Sequence, residues 1–280
     1  EIKTLHNGYR FSDKDVTVYC PYLTLNYLNA EHDKNFSLVG EKIPSFLIDS
    51  VRENPRILFD LKNSAREGFP LRTPMNVSKQ IALEPFLFQT GDLTIRGYDM
   101  RDYVDYYELD FRNEQTRTRF FRTFLRGLTE LDPLEVSRDG ELIKQKLEEL
   151  DMCGFISEIY IHISRIPIQL RQRATLHYYL AVFYLLLENF GLEARIEHDC
   201  TRIEIGNVAG LFQFTFNKTA ETAYEQASKL YKNKISHDKK TFCVGVNFAL
   251  ESYNIYDWRG ALYEGEHIVR NYAVAFDDCD

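Results

Sequence analysis

Hydrophobic and polar positions follow two periods along this chain, and the switches between them mark its elements. In "IPSFLIDSVRENP" apolar residues recur three and four apart between Pro44 and Pro55, which predicts a helix with proline in its first turn and proline at its end. "CPYLTLNYLNA" repeats that grammar and predicts a helix over about 22–30, while "GFPLRTPMNVSKQ", with two prolines, reads as a loop. "FLFQTGDLTIRGYD" predicts a helix ending at Gly91 and a strand after it. A strand is expected at 104–111, then a helix beginning near Asn113, a natural cap. The Pro- and charge-rich "TELDPLEVSRDG" looks like a boundary, and two helical patterns follow it, "ELIKQKLEELD" and "FISEIYIHISRI", the second closed by Pro167.

The last third has the clearest order. "RATLHYYLAVFYLLLENFG" is apolar nearly all round and ends in Gly191, the pattern of a buried helix with a glycine C-cap. Three short strands are expected in "LEARIEHD", "TRIEIGN" and "GLFQFTFN". The helix "TAETAYEQASKLYKNK" comes next with Thr219 as its N-cap, then the strand "KTFCVGVNF", and "YNIYDWRGALY" supplies one more. Helix, three strands, helix, strand is an α/β core with a strand crossover made by a helix.

Composition narrows the function classes. At 280 residues the chain can bury a large core in one or two domains without staples. No apolar run approaches the ~18 residues that cross a bilayer as a helix, so a membrane partner is not expected. Five scattered cysteines, an odd number with no CxxC, read as reduced thiols and a cytoplasmic setting. The first residue is Glu1 and no signal peptide is recognisable, which leads to the expectation of a fragment or processed piece of a longer chain. A net charge of -8 leaves only short basic runs, "RTRFFRTFLR" and "KLYKNK", which read as solvated helix faces rather than a nucleic-acid footprint.

The blocks "TRIEI", "LFQFTFNKTAETAYEQ", "KTFCVGVNF" and "NIYDW", in that order, resemble the C-terminal PD-(D/E)XK nuclease-like domain of AAA-ATPase-like proteins. Upstream, "NGYRFS", "CPYLTLNYL", "PSFLI" and "PFLFQTGDLTIRGYD" resemble the region between the ATPase core and that domain. The resemblance implies an α/β fold in two parts: a helical, lid-like half over 1–135, and a PD-(D/E)XK-like αβββαβ core with leading helices over 136–280. GxxxxGK[ST] occurs nowhere in the chain, so no ATP hydrolysis is expected of it, and the resemblance implies an ATPase module as a partner absent from this chain.

Nucleases of this superfamily resemble one another in holding Mg²⁺ with an aspartate on one strand and a glutamate on the next, with a lysine two residues after the glutamate. Mg²⁺ favours carboxylate oxygens, and a two-residue spacing sets both strand side chains on one face. Carried onto this chain, the aspartate falls on Glu204, the glutamate on Gln213 and the lysine on Thr215. Lys218 and Gln226 match the family's "NK" turn and helix glutamine. Glu204 and Gln213 would then be the metal positions, Gln213 as a weak ligand. One carboxylate survives and two functions do not, so the resemblance implies a degenerate catalytic set, retained as a binding or regulatory module. The alternative is an active Mg²⁺-dependent nuclease with a rearranged ligand set drawing on Glu197, Asp199 or Lys218; nucleic acid stays open as a partner. Outside this set, His177 and His162 read as packed histidines before catalytic bases, and Cys243 as a small buried hydrophobe. Most aromatics read as core, and Trp258 is left open between core and interface.

Overall fold

The computed structural model describes residues 7–10, 14, 16–19, 28, 44–59, 83–101, 104–197, 200–234 and 239–275. The helix expected over 22–30 and the loop "GFPLRTPMNVSKQ" lie outside the described residues. The chain divides into two units, 1–123 and 124–280. That division lies upstream of the 135/136 boundary expected from sequence, because "TELDPLEVSRDG" is no linker: its centre is a helix packed within the second unit.

In the first unit, α1 (Ser45–Glu53) starts after Pro44, whose fixed φ of -58° suits a helix entrance. Helix α2 (Leu83–Thr90) ends at Gly91, whose φ of 81° is the left-handed stop that glycine adopts without strain. Strands β1 (Leu93–Arg101) and β2 (Val104–Phe111) then pair antiparallel. Helix α3 (Glu114–Thr129), whose residues from Phe124 on belong to the second unit, is capped as expected, with the Asn113 Oδ1 accepting from Thr116 N at 2.9 Å. Its first turns carry Phe120 and Phe121 against Phe111 of β2, and Arg119 pairs with the carboxylate of Asp92.

The second unit is a six-stranded sheet in the order β3 (Ala194–Glu197), β4 (Cys200–Ile205), β5 (Val208–Phe216), β6 (Lys240–Ala249), β7 (Asn254–Glu264) and β8 (His267–Ala275). Neighbours run antiparallel except β5 and β6, which run parallel through the crossover helix α9 (Ala220–Lys234). Helices α4 (Pro133–Arg138), α5 (Gly140–Glu148), α6 (Met152–Ser164), α7 (Ile168–Arg171) and α8 (Leu176–Asn189) precede the sheet. The α/β class and the order helix, three strands, helix, strand are therefore those read from sequence.

Strand periodicity assigns the two faces. Phe212 and Phe214 of β5 meet Phe155 of α6 and Phe183 of α8, and Phe248 of β6 stacks on Tyr179 of α8 at 4.3 Å. The alternate residues of β4 to β7 form the other face, where Cys200, Leu211, Cys243, Ala261 and Tyr263 pack with Ala227 and Tyr231 of α9. Helix α9 comes so close that a Cβ on Gly245 of β6 would collide with the helix backbone at Ala220 and Tyr224.

Elements not expected from the sequence also form. Helix α4 forms because Pro133 occupies its first position and Asp132 accepts from Leu134 N at 3.2 Å, a helix start hidden within a charged stretch. Strand β8 has no expected counterpart: it is an edge strand pairing only with β7, His267 to Asn271 are exposed, and no alternation marks it. Trp258, left open, is a core residue, 2% exposed and 5.9 Å from the Tyr272 ring. No helix among the described residues is long and apolar enough to cross a membrane.

Candidate functional site

Of the five positions singled out in the sequence, Glu204 lies on β4, Gln213 and Thr215 on β5, Gln226 on α9 and Lys218 in the turn between β5 and α9, and the register of the β4–β5 hairpin decides which of the strand positions meet. Ile205 pairs with Val208, leaving a two-residue turn of Gly206 and Asn207, with Gly206 at φ 50°. A first-position glycine of positive φ is what a two-residue type II′ connection uses, and such a turn fixes every pairing behind it. Glu204 consequently faces Ala209, and the residue facing Gln213 is Cys200. Gln213 lies four residues further along β5 than Ala209, so Glu204 and Gln213 are separated by roughly 13 Å along the strands. Ligands of one Mg²⁺ sit about 2 Å from the ion, so these two side chains do not share a cation. The level at which two neighbouring strands could jointly hold one carries Cys200, Gln213 and, across β6, Gly245.

Each position is engaged in something else. The Glu204 carboxylate receives Arg202 Nη2 at 2.5 Å and Lys239 Nζ at 2.7 Å. The Lys239 hydrogen bond, with the charges of both cations, holds its pKa below the usual glutamate value against the opposing effect of burial. Gln213 is 7% exposed and its Oε1 is buried with no hydrogen-bond partner. Lys218 and Gln226 are exposed. Asp199 lies outside the described residues; the Glu197 backbone ends β3 opposite Cys200, and its side chain is outside the described set.

Thr215 belongs to a buried polar network that starts helix α9. Its single Oγ1 proton has two acceptors in reach, Thr219 O at 3.2 Å and Asn247 Oδ1 at 3.3 Å. Asn247, on β6 directly beside Thr215, also accepts from Lys218 N at 3.2 Å, and its Nδ2 donates to Lys218 O at 3.0 Å and to Asp257 Oδ1 at 2.6 Å. The other oxygen of Asp257 takes Ala220 N at 3.2 Å. The expected N-cap, Thr219, instead bonds Thr222 side chain to side chain at 3.1 Å. The Ala220 amide at the helix start and the Lys218 amide just before it are satisfied from β7 and β6, which pins the start of α9 to the sheet.

Sequence reasoning missed Cys200, Asn247 and Asp257. Counting back from a two-residue Gly206–Asn207 turn would have placed Cys200 opposite Gln213. Nothing in the local sequence ties Asn247 to Thr215, because a parallel register spans the whole crossover.

The remaining candidates are structural. His162 is 1% exposed against the Phe190 ring; its Nε2 lies 3.2 Å from Asp139 Oδ2, and neither nitrogen makes a well-directed hydrogen bond. Burial, with the nearby Arg165 charge, pulls its pKa below the ordinary value despite Asp139. His177 is half-buried in the first turn of α8. Cys243 is fully buried, and burial pushes its thiol well above the ordinary range, the opposite of what a nucleophile needs. Among the described residues no three His, Cys, Asp or Glu side chains group to hold a metal ion. No family model, curated protein or solved structure matches the chain.

Proposed function

We propose that this chain is a nuclease-like α/β module that binds rather than cuts, the regulatory or assembly part of a cytoplasmic ATPase–nuclease type protein. The observation that carries the reading is the hairpin register: the level of Gln213 is completed by a buried thiol, and the carboxylate at Glu204 is displaced along the strand and neutralised by two cations. Phosphodiester hydrolysis in such a fold needs a carboxylate pair converging on one Mg²⁺ and a nearby cation to orient water. Thr215 offers neither charge nor a free hydroxyl, since its one proton is taken up between Thr219 O and Asn247 Oδ1.

The test is calorimetric titration of the chain with Mg²⁺ and Mn²⁺, alongside plasmid and oligonucleotide cutting, each repeated on Glu204→Ala. The expected outcome is no saturable heat and no cutting by either protein. Metal-dependent cutting that disappears in Glu204→Ala would instead establish an active nuclease with a rearranged ligand set.

A further inference from the structure

We propose that Arg195 and Arg202 form a seat for a dianionic phosphate group, inorganic or monoester. The two arginines are direct cross-strand partners of β3 and β4, so both guanidinium groups leave the same face from neighbouring strands. Like charges directly opposite each other destabilise a sheet. Arg195 is exposed and enters no ion pair among the described residues. Arg202 is 27% exposed; one of its terminal nitrogens reaches Glu204, and its Nε is buried with no hydrogen-bond partner.

Glu204 does not cancel this corner, because it also serves Lys239. Two cations share the Glu204 carboxylate and Arg195 stands beside Arg202, so positive charge gathers on these two strands of a chain whose net charge is -8. A phosphate dianion complements that positive charge. It matches in shape as well: three acceptor oxygens in tetrahedral array can meet two planar forks on facing strands, whereas a carboxylate's two oxygens suit one fork. Arg202 Nε, buried and without an acceptor, gains one. The seat stands on the β3–β4 register and is independent of whether the Gln213 level is silent, so its failure and the failure of the binding-module reading are separate outcomes.

The experiment follows the arginine Nε–Hε resonances of the ¹⁵N-labelled chain at constant ionic strength, titrating inorganic phosphate, methyl phosphate, dimethyl phosphate, succinate and chloride. The Arg202 signal, assigned with Arg202→Gln, is expected to shift saturably with phosphate and methyl phosphate, and at least tenfold more weakly with dimethyl phosphate and succinate. Arg195→Gln, at an exposed position that leaves the fold intact, is expected to abolish the shift at Arg202 and, in phosphate-free low salt, to melt above the wild type because the repulsion is gone. A signal that stays still, moves equally with chloride, or moves undiminished in Arg195→Gln overturns the proposal, as does a lower melting temperature for that variant. Equal response to dimethyl phosphate overturns the dianion assignment and marks a general anion patch.

Discussion

Asn247 is 1% exposed and joins three elements through four hydrogen bonds, so replacing it measures what fixes the start of α9 to the sheet. Asn247→Ala deletes all four. At about 1 kcal/mol net for each bond lost, with the Lys218 backbone and Asp257 Oδ1 left short of a partner, the expected cost is about 3–4 kcal/mol. That is a large share of the roughly 5–15 kcal/mol that holds a domain together. Urea unfolding followed by far-ultraviolet circular dichroism reads it as a drop in the transition midpoint at unchanged slope. Asn247→Asp refines the test, because it keeps the acceptor for Lys218 N and Thr215 but sets a second carboxyl against Asp257, where the wild-type contact is 2.6 Å. Two carboxyls that close cannot both ionise, so the folded variant binds a proton more tightly than its unfolded chain does. A folded pKa raised above the unfolded one means stability relative to wild type is gained as pH falls: the deficit of Asn247→Asp is largest near pH 7 and shrinks toward pH 4. A loss below about 1 kcal/mol in Asn247→Ala, or a pH-independent deficit in Asn247→Asp, would refute the network as described.

Gly245→Ala introduces a methyl group into the backbone of α9 at Ala220 and Tyr224, and is expected to destabilise by about 1–3 kcal/mol through displacement of the helix, read from the same unfolding curves. Glu204 has a folded pKa below its ordinary 4.5, so the stability it contributes is present above that pH and is lost as pH falls through the depressed value. Glu204→Gln should therefore cost less than about 1 kcal/mol at pH 7, since the side chain is a third exposed, with the difference from wild type vanishing in acid. A difference that persists below pH 3 would place the effect in packing. His162 has a folded pKa below 6.5, so the unfolded chain takes up its proton first and stability falls as pH drops from 6.5 toward the lower folded value. His162→Leu should flatten that stretch of the stability–pH curve, and an unchanged slope would show that another group titrates there.

Local rules found most elements of the second unit because each carries its own signal. The helix over 176–189 is apolar on every side, and the strands around it alternate cleanly or end at turn residues. The β2 limits and the Asn113 cap were legible for the same reason: a cap and a strand are chemistry within a few residues. Partnership was less legible. Glu204 sat in the expected strand, yet which residue faced Gln213 depended on a turn length, and one miscounted hairpin moves a side chain by several ångströms without altering any element. The helix start of α9 misled for a related reason: Thr219 has the side chain of an N-cap, but Asp257, 37 residues away, takes the Ala220 amide. Edge strand β8 is exposed from His267 to Asn271 and so shows no pattern there.

The single parallel pairing of the described sheet also shapes how it is assembled. Strands β3–β4–β5 and β6–β7–β8 are each a meander of neighbours in sequence, closed through short local connections. Only β5 against β6 joins them, with partners such as Leu211 and Cys243 lying 32 residues apart and α9 spanning the gap. Loop-closure entropy is met once, at that seam, before the long-range contacts form. Stop-flow refolding should accordingly show the two halves structured early and the seam late. Changes at Gly245 or Asn247 would then act mainly on the unfolding rate, and changes in the Gly206–Asn207 turn on the folding rate. The interlock of α9 with Asn247 and Asp257 thus acts as the latch of the second unit, closing two locally folded halves into one sheet.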